Sequence, residues 1–461
     1  MTPSSVVVIG GGLSGISASL ECARAGATVT LVESRGRLGG AAYSFMREGI
    51  SADNGQHVFL RCCTEYRRLL GDLNAEDCVT LQPRLEIPVL APGGRRAWLR
   101  RSGLPAPLHL AGALARYGLL SVADRGRVAL AMAALRRVDP DDPAADGISF
   151  GAWLTQHGQS SAAIDTIWDL IARPTLNLTP ADASLAQAAQ VFRVGLLENS
   201  CAADIGYARV PLSEIHDRAA REALARAGVD VHLRAGVTGV TPESDGFRVD
   251  VNGAPPLRPR AVILAVPADR LARLIPAEAG LSAQTLHGLG TSPIVNLHVV
   301  FDRRVTELTF AAGVDTPVQW FFDRTASGGV ERGQYLAISL SAAEAELPMT
   351  AEELRHRYLT ALGELVPAAR HAEVVKFFVT REHAATFRAA PGARALRPAP
   401  RTRLPGLALA GAFTDTGWPA TMEGAVRSGL AAAREILRLV AGAGTARSEP
   451  SRPAELAGSV R

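Results

Sequence analysis

The sequence predicts an α/β protein built on a Rossmann-like, parallel-sheet domain. Three observations carry that prediction. Val6-Val7-Val8-Ile9 is an apolar, β-branched run that breaks into Gly10-Gly11-Gly12-Leu13-Ser14-Gly15. A helical stretch follows, with Ile16, Leu20 and Ala23 on one face. After Gly26, Thr28-Val29-Thr30-Leu31-Val32 forms a second strand that ends at Glu33.

Strand, glycine turn, helix, strand and acid in that order form a dinucleotide-binding unit. Gly10, Gly12 and Gly15 fit G-x-G-x-x-G. The first allows the tight turn, the second lets the backbone approach a pyrophosphate, and the third lets helix and strand pack closely. The helix begins at Leu13 and Ser14, with unpaired N–H groups and a partial positive charge turned to the phosphates. Glu33 is placed to accept a ribose hydroxyl. A chance glycine turn in an ordinary βαβ unit explains the glycines but not the spacing of the acid.

Ser34-Arg35-Gly36-Arg37-Leu38-Gly39-Gly40 comes next. It resembles the second glycine motif of flavoproteins in the amine oxidase and phytoene desaturase superfamily, which wraps the flavin's phosphates and ribityl chain. The resemblance implies FAD rather than NAD, with Ser34, Gly39 and Gly40 at the cofactor. That family usually has an arginine where this chain has Ala41; Arg37 can supply a charge from the other side. The implied fold is a Rossmann-like FAD-binding domain of the glutathione-reductase type, with an inserted α+β substrate domain of mixed sheet and helices.

Length and composition narrow the classes. The 461 residues suffice for two or three domains, and 47% apolar with 20% charged residues is ordinary for a globular chain. The net charge of +4 does not argue for nucleic acid, because Lys376 is the only lysine and no basic stripe is interleaved with aromatics. Cys22, Cys62, Cys63, Cys78 and Cys201 show no metal spacing, and the histidines form no H-E-x-x-H, so no metal is expected. No apolar run approaches the ~20 residues of a membrane span. The first strand begins near residue 6, which leaves no room for a signal peptide. A cytoplasmic protein is therefore expected, with peripheral contact at the inner face of the plasma membrane as the sharper reading.

Asp53-Asn54-Gly55-Gln56-His57 is a polar cluster between apolar flanks. Asn54-Gly55 alone is a common hairpin signal, but Gln56 and His57 add groups that need partners if buried. The cluster, together with Trp168-Asp169-Leu170-Ile171-Ala172-Arg173-Pro174-Thr175-Leu176-Asn177, resembles the squalene-associated FAD-dependent desaturases, the hydroxysqualene dehydroxylases of hopanoid biosynthesis. The resemblance places Gly55, Gln56 and His57 at the flavin and Val237 at its adenine end.

From Arg95 to Arg137 arginines alternate with Leu and Ala at roughly helical spacing. Amphipathic helices packed on the flavin domain are the plain reading; a helix lying on a membrane surface is the other. Asp182 is read as the N-cap of a following helix. Ala261–Val266, Ile294–Phe301, Val318–Phe322 and Tyr335–Leu340 are read as strands. Asn296 stands where amine oxidases usually carry a lysine near the flavin N5.

Leu407 to Gly429 runs from a strand through Gly411 and a loop into a helix that starts with small residues. It resembles the superfamily's last FAD motif, A-G-D followed by P-x-x-x-E-G-A-x-x-S-G, and so implies contacts at Gly411, Ala412, Ala420, Thr421 and Met422. Ala412 replaces the aspartate; Asp415 is a candidate stand-in. Residues 1–60, 205–270 and 401–440 are assigned to the FAD domain, 61–204 and 271–400 to the substrate domain, and 441–461 to a disordered tail.

The resemblance implies reductive removal of a hydroxyl from hydroxysqualene, a long-chain isoprenoid, with electrons from a donor outside the chain. The leaving hydroxyl needs an acid. His57, Asp415 and Glu423 are the candidates, each with a plainer reading as a positioning or core group. Carotenoid desaturation, amine oxidation and flavin-free isoprenoid binding are the alternatives.

Overall fold

The structure, a computed structural model, describes the backbone of residues 5–445 and side chains as far as Leu439. The predicted βαβ unit forms. Strands Ser5–Ile9 and Thr28–Glu33 pair in parallel, Val7 opposite Thr30, around helix Leu13–Arg24. A five-stranded parallel sheet grows from them, in the order Asp230–Leu233, Thr28–Glu33, Ser5–Ile9, Ala261–Leu264, Leu407–Leu409. The chain winds outward from Ser5–Ile9 in both directions, so the crevice beyond its carboxyl end is the switch point where such sheets bind ligands.

Two glycines set the approach of elements here. A Cβ on Gly15 would lie 1.8 Å from the Gly10 carbonyl oxygen, so the turn closes only with hydrogen at that position. A Cβ on Gly429 would lie 2.1 Å from the Ser14 carbonyl oxygen. Helix Met422–Thr445 thus packs directly on helix Leu13–Arg24, and the Ser17 hydroxyl reaches the Val426 carbonyl at 3.2 Å. Motifs from both ends of the chain meet.

A seven-stranded mixed sheet forms the second layer. Its order is Val374–Thr386, Ser292–Phe301, Gln334–Ser341, Trp320–Asp323, Phe310–Gly313, Glu86–Ala91, Arg95–Arg100. Only Phe310–Gly313 with Glu86–Ala91 is parallel. Buried Val295, Leu297, Val299, Ile338 and Leu340 pack it against helix Ala351–Leu365.

Four expectations are corrected. Arg95–Arg100 is a strand, because Gly93 and Gly94 take positive φ and turn the chain back on Glu86–Ala91. The N-cap of helix Leu185–Phe192 is Ser184, whose hydroxyl accepts from Gln187 N–H; the Asp182 carboxylate is held by the Thr179 hydroxyl. The last helix continues to Thr445, past the expected start of the tail at 441; the rest of that tail lies outside the described residues. The boundary set at residue 60 cuts a three-stranded sheet, Val58–Leu60, Ile205–Ala208 and Val79–Leu81.

Candidate active site

One large cavity, about 1490 Å3, lies between the two main sheets. A pocket for one small molecule is roughly 300–1,000 Å3, so this one has room for a large cofactor and a second long molecule. One part is lined by the glycine motifs. The other is lined by hydrocarbon, including Leu85, Leu110, Met132, Leu170 and Val194.

Gly10, Gly12, Leu13 and Ser14 line the first part. Helix Leu13–Arg24 has Gly12 as N-cap and no side-chain cap, so its first N–H groups are free for an anion. Gly15 does not line the cavity; it serves the packing just described. The Glu33 carboxylate lines it and is fixed by the Gly11 and Arg35 N–H groups, both at 2.7 Å, and by the Ser34 hydroxyl. The second glycine loop is tied to the first, with Gly39 N–H donating to the Gly11 carbonyl at 2.9 Å. Ser34, Gly39, Gly40 and Ala41 all line the cavity.

Arg37 lines it too. Its guanidinium lies over the Tyr43 ring, 3.4 Å from the centroid, and donates to the Leu38 and Gly40 carbonyls. No carboxylate pairs with it among the described residues. Burial, and then Arg35, pull its pKa below the ordinary value. A half-buried cation without a carboxylate fits a pyrophosphate.

The Asp53–His57 segment is a hub. Asp53 accepts from the Ser44 hydroxyl and Leu212 N–H, and pairs with buried Arg324 at 2.6 Å. Asn54 donates to the Ala41 carbonyl at 2.8 Å and accepts from Tyr43 N–H. Gly55, Gln56 and His57 line the cavity. The Gln56 amide nitrogen is buried with no partner among the described residues, as expected of a group waiting for a bound molecule. His57 Nδ1–H donates to the Gly55 carbonyl at 2.9 Å, which leaves Nε2 an acceptor. Burial lowers the His57 pKa, so the ring is a neutral acceptor rather than an acid.

Val237 opens strand Val237–Glu243 and lines the cavity, as do Gly411, Ala412, Ala420, Thr421 and Met422. No carboxylate replaces the missing aspartate. Asp415 is not among the lining residues; it accepts from Gly417 N–H within its own loop and lies 3.8 Å from Arg394. Glu423 lines the cavity, but its buried carboxylate is spent on structure. It accepts from Glu65 and Tyr66 N–H at the start of helix Thr64–Asp72, and pairs with Arg427 at 2.6 Å. These placements favour the plainer, structural reading of both candidate acids.

Two groups escaped the sequence reading. Arg397, buried, donates to the Ala412, Phe413, Thr414 and Trp418 carbonyls and shapes the loop beside the cofactor part of the cavity. Glu382, on strand Val374–Thr386, lines the cavity and accepts from Asn54 Nδ2 at 3.1 Å. Neither belongs to a motif. The one signal for Glu382 is the run of three polar residues, Arg381-Glu382-His383, within the strand.

Comparison with known proteins agrees with this geometry. A family profile described as flavin containing amine oxidoreductase matches residues 13–437. Hydroxysqualene dehydroxylase of Rhodopseudomonas palustris is 30% identical over 94% of this chain and 98% of its own length. Zeta-carotene desaturase of Zea mays is 26% identical, over 95% of this chain and 84% of the relative. Among solved structures, putrescine oxidase bound to putrescine superposes with a TM-score of 0.71 at 20% identity, covering 95% of this chain and 99% of that one. Cyclohexylamine oxidase of Brevibacterium oxydans superposes at 0.69 with 18% identity, covering 95% and 100%. With a glycine cradle, a fitting cation and a family match over residues 13–437 together, the chain belongs to the flavin containing amine oxidoreductases and is an FAD-dependent oxidoreductase.

Proposed function

We propose that the protein removes the hydroxyl of hydroxysqualene reductively to give squalene. The observation that carries this reading is the single cavity in which a glycine-lined cofactor cradle opens into a long hydrocarbon part. The hydroxysqualene dehydroxylase relatives support the substrate class.

FAD, when bound and reduced, supplies the hydride. The protein's own residues do the rest. Leu110, Met132 and Leu170 exclude water from the polyene. Phe310, Trp320 and Phe322 line the same space, with ring centroids 6.0–6.3 Å apart, and offer faces to a developing cation. His57 Nε2 offers an acceptor beside the second glycine loop. Peripheral membrane contact belongs to the same proposal. Leu104, Leu108 and Leu130 are more than half exposed, and Leu108 also lines the cavity. No helix among the described residues is long and apolar enough to cross a membrane.

The test is anaerobic. The protein is reduced, hydroxysqualene is added, and squalene is sought by mass as the flavin reoxidises. No squalene would reject the reading. Carotenoid desaturation is the second reading, favoured by the desaturase relatives; new conjugated absorption on incubation with phytoene would support it. Amine oxidation is disfavoured by Asn296, which donates to the Asn54 carbonyl where amine oxidases place a lysine.

A further inference from the structure

We propose that Glu382 is the acid that protonates the departing hydroxyl, an assignment that rests on the dehydroxylation reading. It follows from the state of the four carboxylates that line the cavity: Glu33, Asp269, Glu382 and Glu423. Glu33 is bound by two backbone N–H groups at the far end of the glycine cradle. Glu423 is bound by two more and by Arg427. Asp269 is exposed, and it lies four residues beyond Ala265, whose carbonyl packs against Gly10; it therefore belongs to the glycine end.

Glu382 differs from the other three in position and in bonding. Strand Val374–Thr386 sets it opposite Ile294, and the lining continues along the chain through Ala384, Ala385 and Phe387. It thus stands where the hydrocarbon part meets the Asn54–Ala41 contact of the second glycine loop. Its Oε1 accepts from Asn54 Nδ2 at 3.1 Å and from the Tyr43 hydroxyl at 3.4 Å. Its Oε2 has no protein partner among the described residues. Two donors on Oε1 direct an added proton to Oε2, the oxygen left for a ligand. His57 cannot take this role, because its one N–H is given to Gly55.

The step balances. The Glu382 Oε2 proton passes to the substrate oxygen as the C–O bond breaks, with the bonding pair going to oxygen, and water leaves. FAD, when bound and reduced, would supply the hydride for the new C–H bond and the two electrons by which carbon is reduced. The Glu382 carboxylate then recovers a proton from solvent.

The experiment is anaerobic single turnover of dithionite-reduced holoenzyme with hydroxysqualene. Flavin content and hydroxysqualene affinity are measured on every variant. Glu382→Gln is expected to slow squalene formation by about 100-fold or more with flavin content unchanged, and Glu382→Asp to recover part of the rate. A Glu382→Gln rate within about threefold of wild type would overturn the assignment whatever the variants' stability. Squalene from wild type with an unaffected Glu382→Gln rejects Glu382 alone. No squalene from wild type rejects the dehydroxylation, and Glu382's role with it.

Discussion

Replacing Glu423 by alanine separates a structural carboxylate from a catalytic one. The side chain is about 1% exposed and touches three donors: Tyr66 N–H at 2.7 Å, Glu65 N–H at 3.2 Å and the Arg427 guanidinium at 2.6 Å. Alanine strips the side-chain cap from helix Thr64–Asp72, worth about 0.5–2 kcal/mol. It also leaves the buried Tyr66 N–H without a partner, a further ~1–3 kcal/mol. A total of about 3 kcal/mol is the central value. Unfolding entropy is about 2.1 cal/mol/K per residue, so for 461 residues the melting temperature should fall by roughly 3 °C. Calorimetry of the flavin-loaded protein measures that fall, and anaerobic single turnover measures the chemistry. The expected result is a lower Tm with a rate within about threefold of wild type. An unchanged Tm with a rate lost by about 100-fold, the size of an acid–base contribution, would refute the structural reading and return Glu423 to the chemistry.

Other outcomes follow from the same geometry. Arg37→Met removes the unpaired cation from the cradle and should weaken FAD binding by about 10- to 100-fold, the equivalent of ~1.5–3 kcal/mol for a hydrogen bond to a charged group; fluorescence titration of apoprotein checks it, and an unchanged affinity would place Arg37 away from the phosphates. Burial lowers the pKa of His216 to about 4 and of His298 to about 3. The unfolded chain takes up these protons near pH 6.5 and the folded chain does not, so stability is full above that pH. It should fall on acidification towards pH 4 and 3, by about 1.4 kcal/mol per histidine per pH unit. Urea midpoints at pH 7 and 5 read the slope, and a flat profile would contradict neutral histidines. Leu108→Ser with Leu130→Ser should reduce co-sedimentation with anionic vesicles severalfold while leaving flavin content intact; equal sedimentation would remove this surface as the membrane contact.

The sequence was most legible where backbone geometry leaves few choices. Gly10 and Gly15 touch, and no other residue type fits there, so spacing alone identified the turn. The second strand and Glu33 followed from β-branched periodicity and a fixed offset. Contacts made between remote segments were less legible. The Glu423 carboxylate ends on a helix more than three hundred residues away in sequence, and nothing near it marks that partner. Asp415 looked like a substitute carboxylate because it is close in sequence to Ala412, but the loop is held by Arg397 and turns the acid away. Glu382 is set by the register of a 13-residue strand against Ser292–Phe301, which no short motif encodes.

The Asp53–His57 segment carries consecutive residues into separate tasks, and this explains why a single polar turn can organise the site. Asp53 faces Arg324, at the end of strand Trp320–Asp323, and so fixes the segment to the mixed sheet. Removing one partner of such a buried pair costs about 3–5 kcal/mol, so that anchor is firm. Asn54 turns the other way and holds Ala41, which fixes the same segment to the second glycine loop. It also holds Glu382, and Asn296 bonds its carbonyl. A displacement of the glycine loop would therefore move the Glu382 carboxyl with it. One residue's backbone and amide thus join the second glycine loop, the mixed sheet and Glu382. That coupling gives a physical reason for a polar turn at a place where much of the surrounding lining is apolar.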